Sequence, residues 1–118
     1  MELKNYLEQH FDYEFHVNRF PVHAGNDSAY VVLIGGGLNN KNVSTPQVQI
    51  LVRGSHPSTC ETVSYQIYKH FNQKTDYEIG ETRVVWSRGQ QSQPIYTGQD
   101  EKERYVYSIN LELLVDNY

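Results

Sequence analysis

The stretch Pro46–Gln73, PQVQILVRGSHPSTCETVSYQIYKHFNQ, limits the possible folds more than any other part of the chain. In QVQILVRG, Val48, Ile50 and Val52 alternate with Gln47, Gln49 and Leu51, the two-residue period of a strand with one buried face. Leu51 makes the second face partly apolar, which predicts a central strand rather than an edge. Gly54 and Pro57 stop it. Ser58 followed by Glu61 has capping-box spacing, so a helix is predicted to start there. That helix sets Cys60, Val63, Ile67 and Phe71 on one stripe, with Tyr68 beside it. One strand feeding one amphipathic helix is enough to nucleate a two-layer core.

Leu3, Tyr6, Leu7 and His10/Phe11 recur at helical spacing and predict a short amphipathic helix within Met1–Phe11. Tyr13, Phe15 and Val17 alternate with Glu14, His16 and Asn18, a strand pattern over Tyr13–Phe20 ended by Pro21. After a turn at Ala24–Ser28, Tyr30–Ile34 is a β-branched apolar run that Gly35–Gly37 stops. Gly35–Thr45 then reads as a long polar loop. Beyond the helix, Asn72–Gly80 reads as a connector and Glu81–Arg88 as a strand. Gly89–Arg104 reads as a second long loop with one apolar island, Ile95–Tyr96. Finally, Tyr105, Tyr107, Ile109, Leu111, Leu113 and Val115 fill every odd position of a long strand with one wet face. The predicted fold is α+β: a mixed, mostly antiparallel sheet of about four to five strands, with two helices packed on one face. With 118 residues and no internal repeat, a single domain over 1–118 is expected.

Composition narrows the function. Ten Tyr suit strand faces and interfaces, having an apolar body and a polar tip. The single Cys60 excludes an intramolecular disulfide and a cysteine zinc site, and its place on the helix stripe favours an inert, buried thiol. The longest apolar run, Ala29–Ile34, is too short to span a bilayer, and no signal-peptide pattern opens the chain. No membrane association is expected, and the protein is expected to be made and kept inside a cell. A net charge of −4 argues against a dedicated nucleic-acid binder while suiting a surface past which DNA slides.

Candidate chemistry is sparse. None of the five histidines has the spacing of a metal-ligand pair, so no metal is expected. Gly35–Gly37 lacks the Gly-Lys-Ser/Thr ending and the following helix of a phosphate loop. Cys60, near a predicted helix start and close to His56, could have a depressed pKa, but no orienting group or oxyanion site accompanies it. Asp100, Glu101, Glu103 and Glu112, with Lys102 and Arg104, read as solvated charge. Arg53 and Arg88 each precede a glycine at a strand end, and Arg104 opens the last strand. Each arginine could pair with a carboxylate, inside the fold or across a subunit boundary. The residues thus describe an interaction domain with two long loops, no cofactor and no catalytic residue.

Gln47–Gly54, the helix carrying Tyr65 to Phe71, then Gln93-Pro-Ile-Tyr-Thr-Gly-Gln-Asp100, Arg104 and Tyr107-Ser-Ile-Asn110 follow in a recognisable order. In that order and spacing the chain resembles the small minor capsid proteins of long-tailed bacteriophages, which are similar to the tail terminators. Pro21 to Gly35 matches more weakly, and the departures fall at Gly36–Thr45 and Tyr13–Val22. The resemblance implies an α+β structural subunit of the virion, at the head-tail junction and assembled in the host cytoplasm. It implies a ring, typically a hexamer, that caps the head-proximal end of the tail tube and ends its polymerisation. The partners it implies are the major tail protein below and a head-completion protein above, with the genome passing through the bore without specific binding. On this reading Arg53, Arg88, Pro94, Ile95, Tyr96, Gly98, Asp100 and Arg104 are candidates for the subunit or tail/head interface. Gly35–Thr45 and Gly89–Arg104 are expected to be mobile in the monomer and ordered in the ring. The nearest rival is a head-completion or neck protein. The rival from another class is a cytosolic ligand-binding domain or thiol enzyme with Cys60 or His56 at a pocket mouth.

Overall fold

The computed structural model describes residues 2–40 and 43–116. Met1 of the expected N-terminal helix, residues 41–42 of the expected loop, and residues 117–118 lie outside them. The chain runs α1 (Glu2–His10), β1 (Glu14–Val17), β2 (Ser28–Asn40), β3 (Val43–Gly54), α2 (Pro57–Phe71), β4 (Lys74–Ile79), β5 (Thr82–Gly89), β6 (Ile95–Gln99) and β7 (Tyr105–Asp116). The strands form one sheet in the order β1-β2-β3-β7-β5-β4, with β6 also paired to β7. β1 runs parallel to β2, and every other pairing is antiparallel.

The expected sheet of about four to five strands is corrected to seven among the described residues. Two strands came from segments without a usable side-chain pattern. In β4, KTDYEI, only Tyr77 and Ile79 are apolar, and Asp76 sits at φ +54, so the segment resembles a connector until β5 pairs with it. β6 has five residues and a register shift between Tyr96 and Gly98, where Gly98 takes φ +108. Its strand character comes from the backbone ladder to β7.

The triple glycine does not end its strand either. β2 continues through Gly35, Gly36 and Gly37, opposite Gln47, Pro46 and Thr45, so the expected polar loop is mostly two arms of a hairpin. Ladder bonds come from backbone groups that glycine also has, and Gly35 at φ +145 absorbs the shift after Leu33. Pro46 leaves its mark on the other side of β3. Pairing with β7 lapses between Ser44↔Val115 and Gln47↔Glu112, because proline offers no N–H.

β3 lies between β2 and β7, the central place its two-sided pattern predicts. Val48, Ile50 and Val52 share a face with Ile109, Leu111, Leu113, Val115 and Val84, and on it lie Leu3, Leu7, Cys60, Ile67 and Phe71. Each such side chain contributes roughly 1.5–3 kcal/mol of burial. The start of α2 differs from the capping-box expectation. Pro57 occupies the first turn, His56 is the N-cap, and no side chain bonds there. Proline's fixed φ suits that position, and Glu61 is left free to accept the Tyr107 hydroxyl at 3.2 Å. At the other end a buried polar chain ties helix to sheet. Tyr77 donates to Ser87 Oγ (2.6 Å), which donates to the Phe71 carbonyl (2.6 Å).

Candidate assembly surface

The turn between β6 and β7, Asp100-Glu-Lys-Glu-Arg104, is organised by one carboxylate. Asp100 Oδ1 accepts the backbone N–H of Lys102 and of Arg104, both at 3.0 Å, and Oδ2 accepts Arg104 Nε at 2.8 Å. Partial burial works to raise the Asp100 carboxyl, and these donors outweigh it, holding it below the usual carboxylate range. Glu103 at φ +63 closes the turn.

Arg104 reaches Asn26 Oδ1 (3.4 Å) in the β1–β2 connection, which Arg53 holds from beneath. Arg53 is 6 % exposed. It donates to Ser28 Oγ (3.1 Å) and to the carbonyls of Ala24 (3.4 Å) and Gly25 (3.0 Å), while its guanidinium lies 3.9 Å from the Phe20 ring centroid. Its bonds are therefore to neutral oxygens, which differs from the carboxylate pairing expected of it. Burial, then the neighbouring Arg104, lower its pKa from the ordinary value. The structure thus brings Arg53, Asp100 and Arg104 to one corner of the sheet.

Arg88 is elsewhere. It pairs across β5 and β7 with Glu112 (2.8 Å) and lies over Trp86, 4.8 Å from the ring centroid, on the face away from the helices. Its side chain is mostly exposed, so the pair contributes at most about 1 kcal/mol.

Pro94 is buried, but Ile95 and Tyr96 beside it are exposed, 40 % and 50 %. Tyr96 lies against Tyr107 (ring centroids 5.3 Å) and Tyr105 (6.5 Å), and Gly98 supplies the bulge that turns β6. The connection before β6 is tethered to α2, since Tyr68 donates to the Gln91 carbonyl (2.8 Å) and Tyr65 to Gln93 (3.1 Å). Residues 89–104 are thus a strand with tethers rather than one long loop.

A second apolar patch carries no mark of its own in the sequence. Leu33 and Ile34 are 56 % and 48 % exposed, where β2 runs on past the helices. Leu33 borders an open trough of about 260 Å³, lined also by Leu3, Pro46, Val48, Val84 and Leu113. An apolar run reads as core in sequence because nothing local tells where the covering helix stops.

Cys60 offers no nucleophile. Its thiol is fully buried and lies 3.4 Å from the Val52 carbonyl, and burial pushes it up to about 11. A thiol reagent at pH 8 is therefore expected to label the protein only as fast as it unfolds; rapid labelling of the native chain would contradict this site. Among the described residues no group of three or more His, Cys, Asp or Glu could hold a metal ion. Nor, among them, is any helix long and apolar enough to cross a membrane.

Comparison with curated proteins returns no match. The family model described as bacteriophage tail terminator protein matches residues 12–117, from just after α1 to the end of the sheet. With nearly its whole length matched, the chain belongs to the bacteriophage tail terminator protein family.

Proposed function

We propose that this chain, a structural protein of the phage tail, caps the head-proximal end of the tail tube as a ring. The ring ends tube polymerisation and presents the surface on which a head-completion protein docks. It works by assembly rather than catalysis, and its subunits number six. The observation that carries the ring is the pair of unlike apolar patches, Leu33–Ile34 on β2 and Ile95–Tyr96 on β6. β3 and β7 lie between those strands, three strand spacings or about 14 Å across the sheet. A head-to-tail ring needs two different complementary patches on each subunit, whereas a two-fold dimer needs one self-complementary patch. In this reading Ile95 and Tyr96 of one copy meet Leu33 and the trough of the next. Pro94 and Gly98 shape β6, while Arg53, Asp100 and Arg104 hold the corner beside it. Arg88 stands on the opposite face, available to the tail protein or to the head side. The mildly acidic charge of −4 lets DNA pass through the bore without adhering.

Deleting the gene and viewing lysates by negative-stain electron microscopy tests the role. Overlong tails beside filled, unattached heads are expected. Tails of normal length beside heads that have leaked DNA would move the protein to the head side of the joint, and intact virions would overturn the proposal.

The patches are tested separately. Leu33→Asp and Ile95→Asp are expected to cost the subunit about 1–2 kcal/mol, short of unfolding it, since both side chains are only partly buried. Each is expected to leave the protein monomeric by light scattering. An equimolar mixture of the two should give dimers and nothing larger, because one competent joint survives. Dimers formed by either variant alone would mean that the patches pair with themselves.

A further inference from the structure

α1 precedes the matched region, yet Leu3, Tyr6 and Leu7 bury its inner face in the core. Its polar ties are few. Glu2 Oε2 accepts the Glu81 N–H in the β4–β5 turn (2.9 Å), and the Tyr6 hydroxyl meets His70 Nε2 on α2 (2.6 Å). His10 closes the arrangement, with Nδ1 2.9 Å from the Tyr6 carbonyl and its ring stacked on Tyr6 at 4.1 Å. The His10 and His70 rings are then only 5.0 Å apart, with Phe11 and Phe71 against His70 at 5.4 and 4.9 Å.

We propose that α1 is a pH-released strap, which protonation of His70, ring to ring with His10, lifts from the sheet, uncovering the apolar floor beneath Leu3 and Leu7.

A neutral His70 with its proton on Nδ1 accepts the Tyr6 hydroxyl at Nε2. An imidazolium could only donate back to it, so the bond survives by reversing and the opposition to docking comes from the charge itself. The groups around the pair decide its sign. α1 contributes Glu2, Tyr6 and His10, and β4 contributes Lys74, Tyr77 and Glu78, all lining one groove of about 650 Å³. α2 adds the exposed Lys69. Glu2 is held at the Glu81 amide, and among the described residues neither His10 nor His70 forms an ion pair with a carboxylate. Burial, then Lys74 and His10, lower the His70 pKa from 6.5. Docked α1 adds to that burial and brings His10 up to the ring, so His70 binds a proton more tightly when the strap is released. Docking has its full strength above the ordinary imidazole pKa and weakens as pH falls through the lowered one. β3 and β7, hydrogen-bonded on both sides at the centre of the sheet, stay paired.

Hydrogen exchange of the full chain between pH 7.5 and 5, corrected for intrinsic rates, tests this in a range where carboxylates in general stay ionised. Protection of residues 2–10 is expected to fall as pH drops below the ordinary imidazole pKa, by at most about tenfold per unit, and to level off once docked His70 is itself protonated, with β3 and β7 unchanged. His70→Gln keeps an acceptor without a titrating group and should hold α1 protected throughout. Constant protection in the wild type, or an equal loss in His70→Gln, would overturn the proposal. Should that variant fail to fold, the His70 ring titration by NMR decides: a value at or above 6.5 in the native chain sinks the strap.

Discussion

Phe71→Ala is expected to lower the free energy of unfolding by about 3–5 kcal/mol, among the largest effects of any single truncation in this protein. Phe71 is fully buried at the C-terminal end of α2 and is among the largest of the fully buried side chains. Its ring meets those of Tyr6 (5.7 Å) and His70 (4.9 Å), so it lies where α1, α2 and the sheet converge. The void left by alanine could not readily collapse. The Phe71 carbonyl is held by buried Ser87, which Tyr77 holds in turn, and Asn72 accepts the Gly89 N–H (2.9 Å). Because domains of this kind have about 5–15 kcal/mol in total, the loss removes a large part of the margin. Urea denaturation should show a lower midpoint with an unchanged slope. A cost under 1 kcal/mol would mean that α2 and β5 close up around the gap, contrary to their bonding.

The second large effect is expected at Arg53, through a different mechanism. Arg53→Met keeps much of the apolar stem but removes the donors to Ser28 Oγ and to the Ala24 and Gly25 carbonyls. Orphaned buried acceptors cost about 1–3 kcal/mol each, and partial access to water reduces the sum, so a loss of about 2–4 kcal/mol is expected. Arg53→Lys should recover little of it, because an ammonium cannot reproduce the planar fork that reaches three acceptors and lies on Phe20. A double-mutant cycle with Phe20→Leu isolates the cation–ring part, for which about 1–2 kcal/mol is expected. Exchange protection in residues 24–28 should fall in parallel. Stability unchanged in Arg53→Met would show that this connection holds itself in place.

The two positions differ in how they read in sequence. Phe71 sits on the Cys60, Ile67 and Phe71 stripe, and helical spacing alone places it inward. Arg53 shares the strand of Val48, Ile50 and Val52 but lies on the opposite face. Only the return of the 20–27 connection over that face makes it a buried hub. Among the candidate interface residues, Ile95 and Tyr96 were legible as an apolar island in polar surroundings. Leu33 and Ile34 were not, because an apolar run has the same appearance whether a helix covers it or stops short.

What the amino-acid sequence by itself determined is the set of elements that carry their own pattern: α1, α2, β1, β3, β5 and β7. Their order was also enough to resemble the family to which the chain belongs. Only the tertiary structure decided that β4 and β6 are strands, that the hairpin runs through three glycines, and that His10 and His70 lie ring to ring. The reason is one of range. Side-chain periodicity is a local property and is written along the chain. A backbone ladder needs a partner edge, supplied to β6 by residues six to thirteen positions away, and the histidine pair joins two helices sixty residues apart.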